Sequence, residues 1–181
     1  MRRTGILLNL IACFFWVVGA CNTPKHVSNL SVKAEKTLIA SRTKGWLKYN
    51  IYQMPLDSQA LRSHKRNRPL IFSIRIINME NDVSPLRRIS SSLKQYDVFY
   101  EYLLNQTKND LALVSGTTVV YPSYYSFENS YNVFPFETVN VGFSAEVIAQ
   151  SKFKKSEPVR LLYADKVFAH DTLTCDVKKL L

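Results

Sequence analysis

Glycine is scarce in this chain, with five residues among 181. So few leave little material for the backbone loops that cradle phosphate groups, which are built on repeated glycines at fixed spacing. Neither a Walker-type loop, nor a serine nucleophile motif, nor an acidic metal-binding loop occurs. Histidine is equally thin: His26, His64 and His170 stand far apart, and none pairs with a cysteine at zinc-ligand spacing. No metal and no cofactor is therefore expected. Long hydrophobic runs are missing too. The one apolar stretch, Gly5 to Val18, is short for a membrane-spanning helix.

What surrounds that stretch gives it a meaning. Met1-Arg2-Arg3 supplies a positive start, the apolar run follows, and small Gly19 and Ala20 precede Cys21, after which Asn22-Thr23-Pro24-Lys25-His26 turns polar. Residues 1 to 21 resemble the lipobox signal of bacterial lipoproteins. The resemblance implies that Cys21 becomes the lipidated first residue of the mature chain, carrying palmitate-type acyl chains. Leu10-Ile11-Ala12-Cys13 also satisfies a loose lipobox, but cleavage there would leave Phe14-Phe15-Trp16-Val17-Val18 as an apolar stub beside the anchor. Asn22, where an aspartate would favour inner-membrane retention in the Gram-negative pattern, points to the outer membrane.

Removing residues 1–20 leaves 161, enough for one domain with a proper core. The formal charge of +10 becomes +8 once Arg2 and Arg3 are lost. Such a surface suits anionic partners, among them lipid headgroups, phosphorylated glycans and acidic protein faces. For an exported chain no nucleic-acid partner is expected. The basic residues are also scattered, in His64 to Arg68, Arg87-Arg88, Lys152 with Lys154-Lys155, and Lys178-Lys179, as solvated loops between strands would have them. With Cys13 removed and Cys21 acylated, Cys175 stands alone and no internal disulfide can form. Its alternation with Leu173 and Val177 predicts a small buried hydrophobe on a strand.

The rest of the chain divides by hydrophobic period. Residues 21–45 are polar and form a tether, with only Leu38-Ile39-Ala40 hinting at an early strand. From 46 to 181 a single domain is expected. Period-two alternation marks strands at Leu47 to Tyr52, Leu70 to Ile77, and Thr138 to Phe143, the last with an expected extension through Ala145 and Val147. Leu111 to Val114 and Thr117 to Tyr121, joined at Ser115-Gly116, predict a hairpin. Val159 to Tyr163 and Leu173 to Val177 complete the set. Between them Ile89, Leu93, Tyr96, Tyr100 and Leu103 recur at three- and four-residue steps, the pattern of one amphipathic helix over 89–104 capped by Ser90, Ser91 or Ser92. The expected fold is mainly β: an antiparallel sandwich, Ig-like or related, with that helix inserted.

Tyr121 to Glu137 is the unusual segment, holding aromatic residues and two carboxylates between strands. Tyrosine joins a flat apolar face to a hydroxyl, so Tyr124, Tyr125 and Tyr131 form a candidate binding surface for a protein or a sugar, unless the rings pack the loop onto the sandwich. Glu128 and Glu137 lack the converging second feature that a glycosidase acid and base would need. The sequence thus predicts a lipid-anchored envelope protein with a non-catalytic binding or assembly role. A carbohydrate-binding surface lipoprotein using residues 121–136 is the first alternative, and a small envelope hydrolase the second.

Overall fold

The computed structural model describes residues 36–55, 69–151, 153 and 156–177, all within a unit spanning Ala34–Leu181. Cys13, Cys21, the signal segment and most of the tether lie outside the described residues. Among the described residues, nine strands form two antiparallel sheets. The first has the order β1-β2-β3-β7-β6, from β1 (Thr37–Lys44), β2 (Leu47–Gln53), β3 (Leu70–Asn78), β6 (Tyr124–Glu128) and β7 (Phe136–Phe143). The second has the order β5-β4-β8-β9, from β4 (Leu111–Ser115), β5 (Thr118–Val120), β8 (Arg160–Asp165) and β9 (Asp171–Asp176). Mainly β structure in an antiparallel two-sheet arrangement is what the alternating pattern predicts.

Period two puts one face of each sheet into a common core. Tyr49, Phe72, Ile74, Val139 and Val141 of the first sheet share one buried cluster with Leu113, Leu161, Tyr163, Leu173 and Cys175 of the second. Burial of this apolar surface is the main stabilising term. Four polar links accompany it. Tyr49 donates to Asp165 across the sandwich at 2.5 Å. Lys44 pairs with Asp171 at 2.8 Å between β1 and β9. Lys166 and the Tyr102 hydroxyl both reach the buried Asp110 carboxylate, each at 2.6 Å.

Four local features depart from the expected pattern. The sheet begins at Thr37, so residues 37–44, assigned above to the tether, form an edge strand exposed over most of its length. The helical stretch is two helices, α1 (Pro85–Ile89) and α2 (Leu93–Asn105). Three serines cause the break. Ser90 Oγ donates to the Leu86 carbonyl at 2.7 Å and closes α1, Ser92 Oγ accepts from Gln95 N and opens α2, and Gln95 reaches back to Ser91 N. After Phe143 the chain does not continue as a strand. Ser144 Oγ accepts from Val147 N, starting α3 (Ala145–Gln150). Finally, Tyr124–Glu128 is a strand in its own right, at the far edge of the first sheet.

Helix α2 closes the sandwich beside β6. Its Leu103 is fully buried, and the Leu103 carbonyl accepts a hydrogen bond from the Tyr125 hydroxyl on the inner face of β6. The connection from β6 to β7 is thereby set between α2 on one side and the outer face of the first sheet on the other.

Candidate functional site

The β6–β7 connection, residues 129–135, is a short loop with an unusual backbone. Tyr131 and Asn132 both adopt positive φ, at 50° and 62°. Asparagine tolerates this region, but a tyrosine there costs on the order of 1 kcal/mol. Hydrogen bonds hold the conformation. Asn129 Oδ1 accepts from Tyr131 N at 2.7 Å, Ser130 Oγ donates to the Phe134 carbonyl at 3.0 Å, and Val133 N donates to the Ser130 carbonyl at 3.0 Å.

Neighbouring elements clamp the same loop from outside. Asn132 Oδ1 accepts from Ser84 N at 2.8 Å, at the cap of α1, and Asn129 Nδ2 donates to the Tyr96 hydroxyl of α2 at 2.5 Å. Glu137 Oε2 accepts from Ser130 N at 2.8 Å, and Asn78 N donates to the Pro135 carbonyl at 2.8 Å. A loop fixed at so many points is preorganised, and a preorganised surface loses little entropy when it meets a partner.

Its side chains nevertheless face water. Tyr131 is 70% exposed, Val133 71% and Phe134 53%, while Leu93 at the start of α2 is 76% exposed. Large apolar groups displayed together on a rigid support mark an interaction surface more strongly than single exposed residues do. A groove of about 300 Å³ lies on the helix side of the ridge, between Arg87, Leu93, Tyr96, Tyr131 and Asn132. A second groove of about 300 Å³ lies on the sheet side, bounded by Glu128, Asn129, Ser130, Phe134, Phe136 and Thr138.

On the sheet side the aromatic groups continue as a stack. Phe134 lies over Phe136 with centroids 5.4 Å apart at 14°, and the Arg75 guanidinium sits 4.3 Å from the Phe136 ring centre and 5.9 Å from that of Tyr52. At the other end of β6, Tyr124 is 53% exposed and lies against its cross-strand partner Gly142. A Cβ at Gly142 would stand 3.2 Å from the Tyr124 Cβ, so the missing side chain is what lets the ring approach the strand.

The three tyrosines singled out by the sequence therefore do not form one surface. Tyr124 is on the outer face of the first sheet, Tyr131 is on the ridge beside α2, and Tyr125 is half-buried beneath α2 with its hydroxyl on the Leu103 carbonyl. Burial pushes the Tyr125 phenol far above its ordinary pKa. Tyr131→Ala is expected to leave stability within about 0.5 kcal/mol, whereas Tyr125→Ala should cost about 3 kcal/mol or more. Urea denaturation of the two variants compares them, and equal losses would mean that Tyr131 is a packing residue. Arg87, Leu93, Asn129, Asn132 and Phe134 belong to the site as well but were not singled out. The signal for the two asparagines was their position inside an aromatic run, where they set the turn.

The two carboxylates of the segment are separated. Glu128 pairs in register with Thr138 and is exposed on the outer face, while Glu137 points to the inner face and is wholly buried. Burial pushes the Glu137 carboxyl up to about 7, against the opposing pull of the Ser130 N–H. Its Oε1 is buried without a hydrogen-bond partner, while Ser84 and Leu86 at the start of α1 also oppose the rise. Among the described residues no group of three or more histidines, cysteines, aspartates or glutamates is placed to hold a metal ion, and no helix is long and apolar enough to cross a membrane. No protein-family model, no curated protein and no solved structure matches the chain.

Proposed function

We propose that this protein is a lipid-anchored component of the bacterial cell envelope that binds a partner through the ridge at residues 129–135, without catalysis. One observation carries the reading: a strained but heavily hydrogen-bonded loop displays Tyr131, Val133 and Phe134 to solvent. Strain and exposed apolar area both cost stability, so their retention on a rigid support is best accounted for by contact with another molecule. Separation of Glu128 and Glu137 onto opposite faces favours binding over hydrolysis, because the pair does not share a cleft. Attachment is through Cys21, with the outer membrane as the destination and a protein or a glycan of the envelope as the partner.

Two experiments test this. Cys21→Ala should abolish labelling by a palmitate analogue in cells and leave an unprocessed precursor. Labelling that persists in that variant and disappears only with Cys13→Ala would move the anchor to the earlier cysteine. For the contact surface, a photoreactive amino acid at Tyr131 should give one discrete adduct in intact cells, and the same group at exposed Glu146 on α3 should give none. An adduct at neither position, or equal smears at both, would remove the ridge as a contact surface.

A further inference from the structure

The outer face of β6 and β7 carries an ordered polar file. The Tyr124 hydroxyl donates to Ser126 Oγ at 3.0 Å, Asn140 Nδ2 donates to the same Ser126 oxygen at 3.4 Å, and Asn140 Nδ2 also donates to Glu128 Oε1 at 2.6 Å. Register explains the alignment, since Tyr124, Ser126 and Glu128 alternate along β6 opposite Gly142, Asn140 and Thr138 of β7. An aromatic ring stands at each end, Tyr124 on Gly142 and Phe134 above the groove that Glu128 and Thr138 help to line. From Tyr124 to Glu128 the strand rises about 14 Å.

We propose that this face is a binding strip for a neutral oligosaccharide, running along β6 with Tyr124 and Phe134 as stacking platforms and Ser126, Glu128 and Asn140 as polar contacts between them. The proposal rests on the binding role given above, meets the ridge at Phe134, and names a ligand class for its sheet side. Pyranose rings with equatorial substituents present an apolar C–H face and a rim of hydroxyls. Exposed aromatic faces meet the first, and a file of hydroxyl, amide and carboxylate meets the second, each group already oriented by its neighbour. The spacing of the platforms calls for a short chain rather than a single sugar. Charge argues for a neutral one: Glu128 would repel a polyanion, and Arg75, opposite Thr138 in the register of β3 on β7, offsets that carboxylate rather than leaving an excess of either sign to select an ionic chain.

The test is calorimetric titration of the full chain, in a detergent without sugar headgroups, with cellohexaose and with the hexamer of N-acetylglucosamine. At least one should bind. Tyr124→Ala and Phe134→Ala should each weaken it about fivefold or more, as loss of an aromatic stacking contact does. Asn140→Ala, which removes the central donor, should weaken it about fivefold as well. Val119→Ala, at the exposed edge of the second sheet, should change it by less than about twofold, which separates the strip from general loss of fold. Absence of binding by both hexamers at millimolar concentration overturns the proposal. Binding that is unaffected by both platform variants also overturns it, because the sugar would then sit elsewhere. A protein adduct at Tyr131 combined with no oligosaccharide binding would sink the glycan strip alone and leave the ridge as a contact surface for protein.

Discussion

Asp165→Ala is expected to cost roughly 3–5 kcal/mol, because it leaves several buried donors unsatisfied at about 1–3 kcal/mol each. Asp165 ends β8 and is almost inaccessible. Its Oδ1 accepts from Val167 N at 3.0 Å and Phe168 N at 2.9 Å, and its Oδ2 accepts from Ala169 N at 2.8 Å and from the Tyr49 hydroxyl at 2.5 Å. Three of these donors belong to the turn between β8 and β9, which ends at His170 with φ of 48°. The fourth comes from the centre of β2 in the opposite sheet. One carboxylate therefore fixes a tight turn and joins the two sheets.

Truncation would strand three backbone N–H groups beside buried Val167 and Phe168, where water has little access. Asp165→Asn should also be harmful, because the amide presents N–H to the Ala169 N–H and replaces an acceptor with a donor. Tyr49→Phe should be milder, about 1.5–3 kcal/mol, since the carboxylate keeps its three backbone donors. Burial, reinforced by the Asp165 charge, drives the Tyr49 phenol far above its ordinary pKa, so it remains a donor across the working pH range. At roughly 3 °C per kcal/mol for a domain of this size, Asp165→Ala should lower Tm by about 10–15 °C. A drop under about 3 °C would show that the turn does not depend on this carboxylate.

How much of this was legible depends on what each strand faces. β2, β3 and β7 announce themselves because one side meets the core and the other meets polar groups, as in Phe72, Ile74 and Ile76 against Ser73 and Arg75. β1 hides because an edge strand exposed on both sides has no alternation to show. β6 hides for the opposite reason. Tyr125 and Phe127 turn inward while Tyr124 lies outward on Gly142, so aromatic residues occupy both faces and the period is lost. The break between α1 and α2 was written in Ser90-Ser91-Ser92, where a continuous apolar stripe outweighed three residues that prefer caps. Leu93 belongs to that stripe in sequence yet faces the groove.

The site was less legible than the fold. An aromatic-rich segment is visible in the sequence, but its division into a ridge, an outer platform and a packing residue follows only from the register of β6 on β7. The Tyr49–Asp165 bond spans 116 positions, and nothing local to either residue announces it.

The stability of the domain should also depend on pH through Glu137, with the opposite sign to an ordinary salt-bridged carboxylate. Its pKa is raised from 4.5 to about 7, chiefly because burial penalises the charged form. The folded state therefore holds this proton more tightly than the unfolded chain does. Below about pH 4.5 both states are protonated and the group contributes nothing against folding. As pH rises from there to about 7 the unfolded chain releases its proton first, and stability falls, by about 3 kcal/mol at most from a shift of this size. Above about 7 both states are ionised and the loss is complete. Asp171, whose carboxyl is held below its usual range by Lys44, acts in the other direction, so the contribution must be read as a difference between variants. Glu137→Gln keeps the shape and an acceptor for Ser130 N but cannot ionise. Urea midpoints at pH 5 and pH 8 should show the wild type weakening relative to Glu137→Gln as pH rises. The wild type should also be the less stable of the two at pH 8. Parallel behaviour of the two proteins would mean that Glu137 is charged throughout and that the loop anchored by Ser130 rests on an ionised group. A diverging pair would instead tie the anchoring of the ridge to the acidity of its surroundings, since Ser130 N donates to Oε2 of the same carboxyl group that takes up the proton.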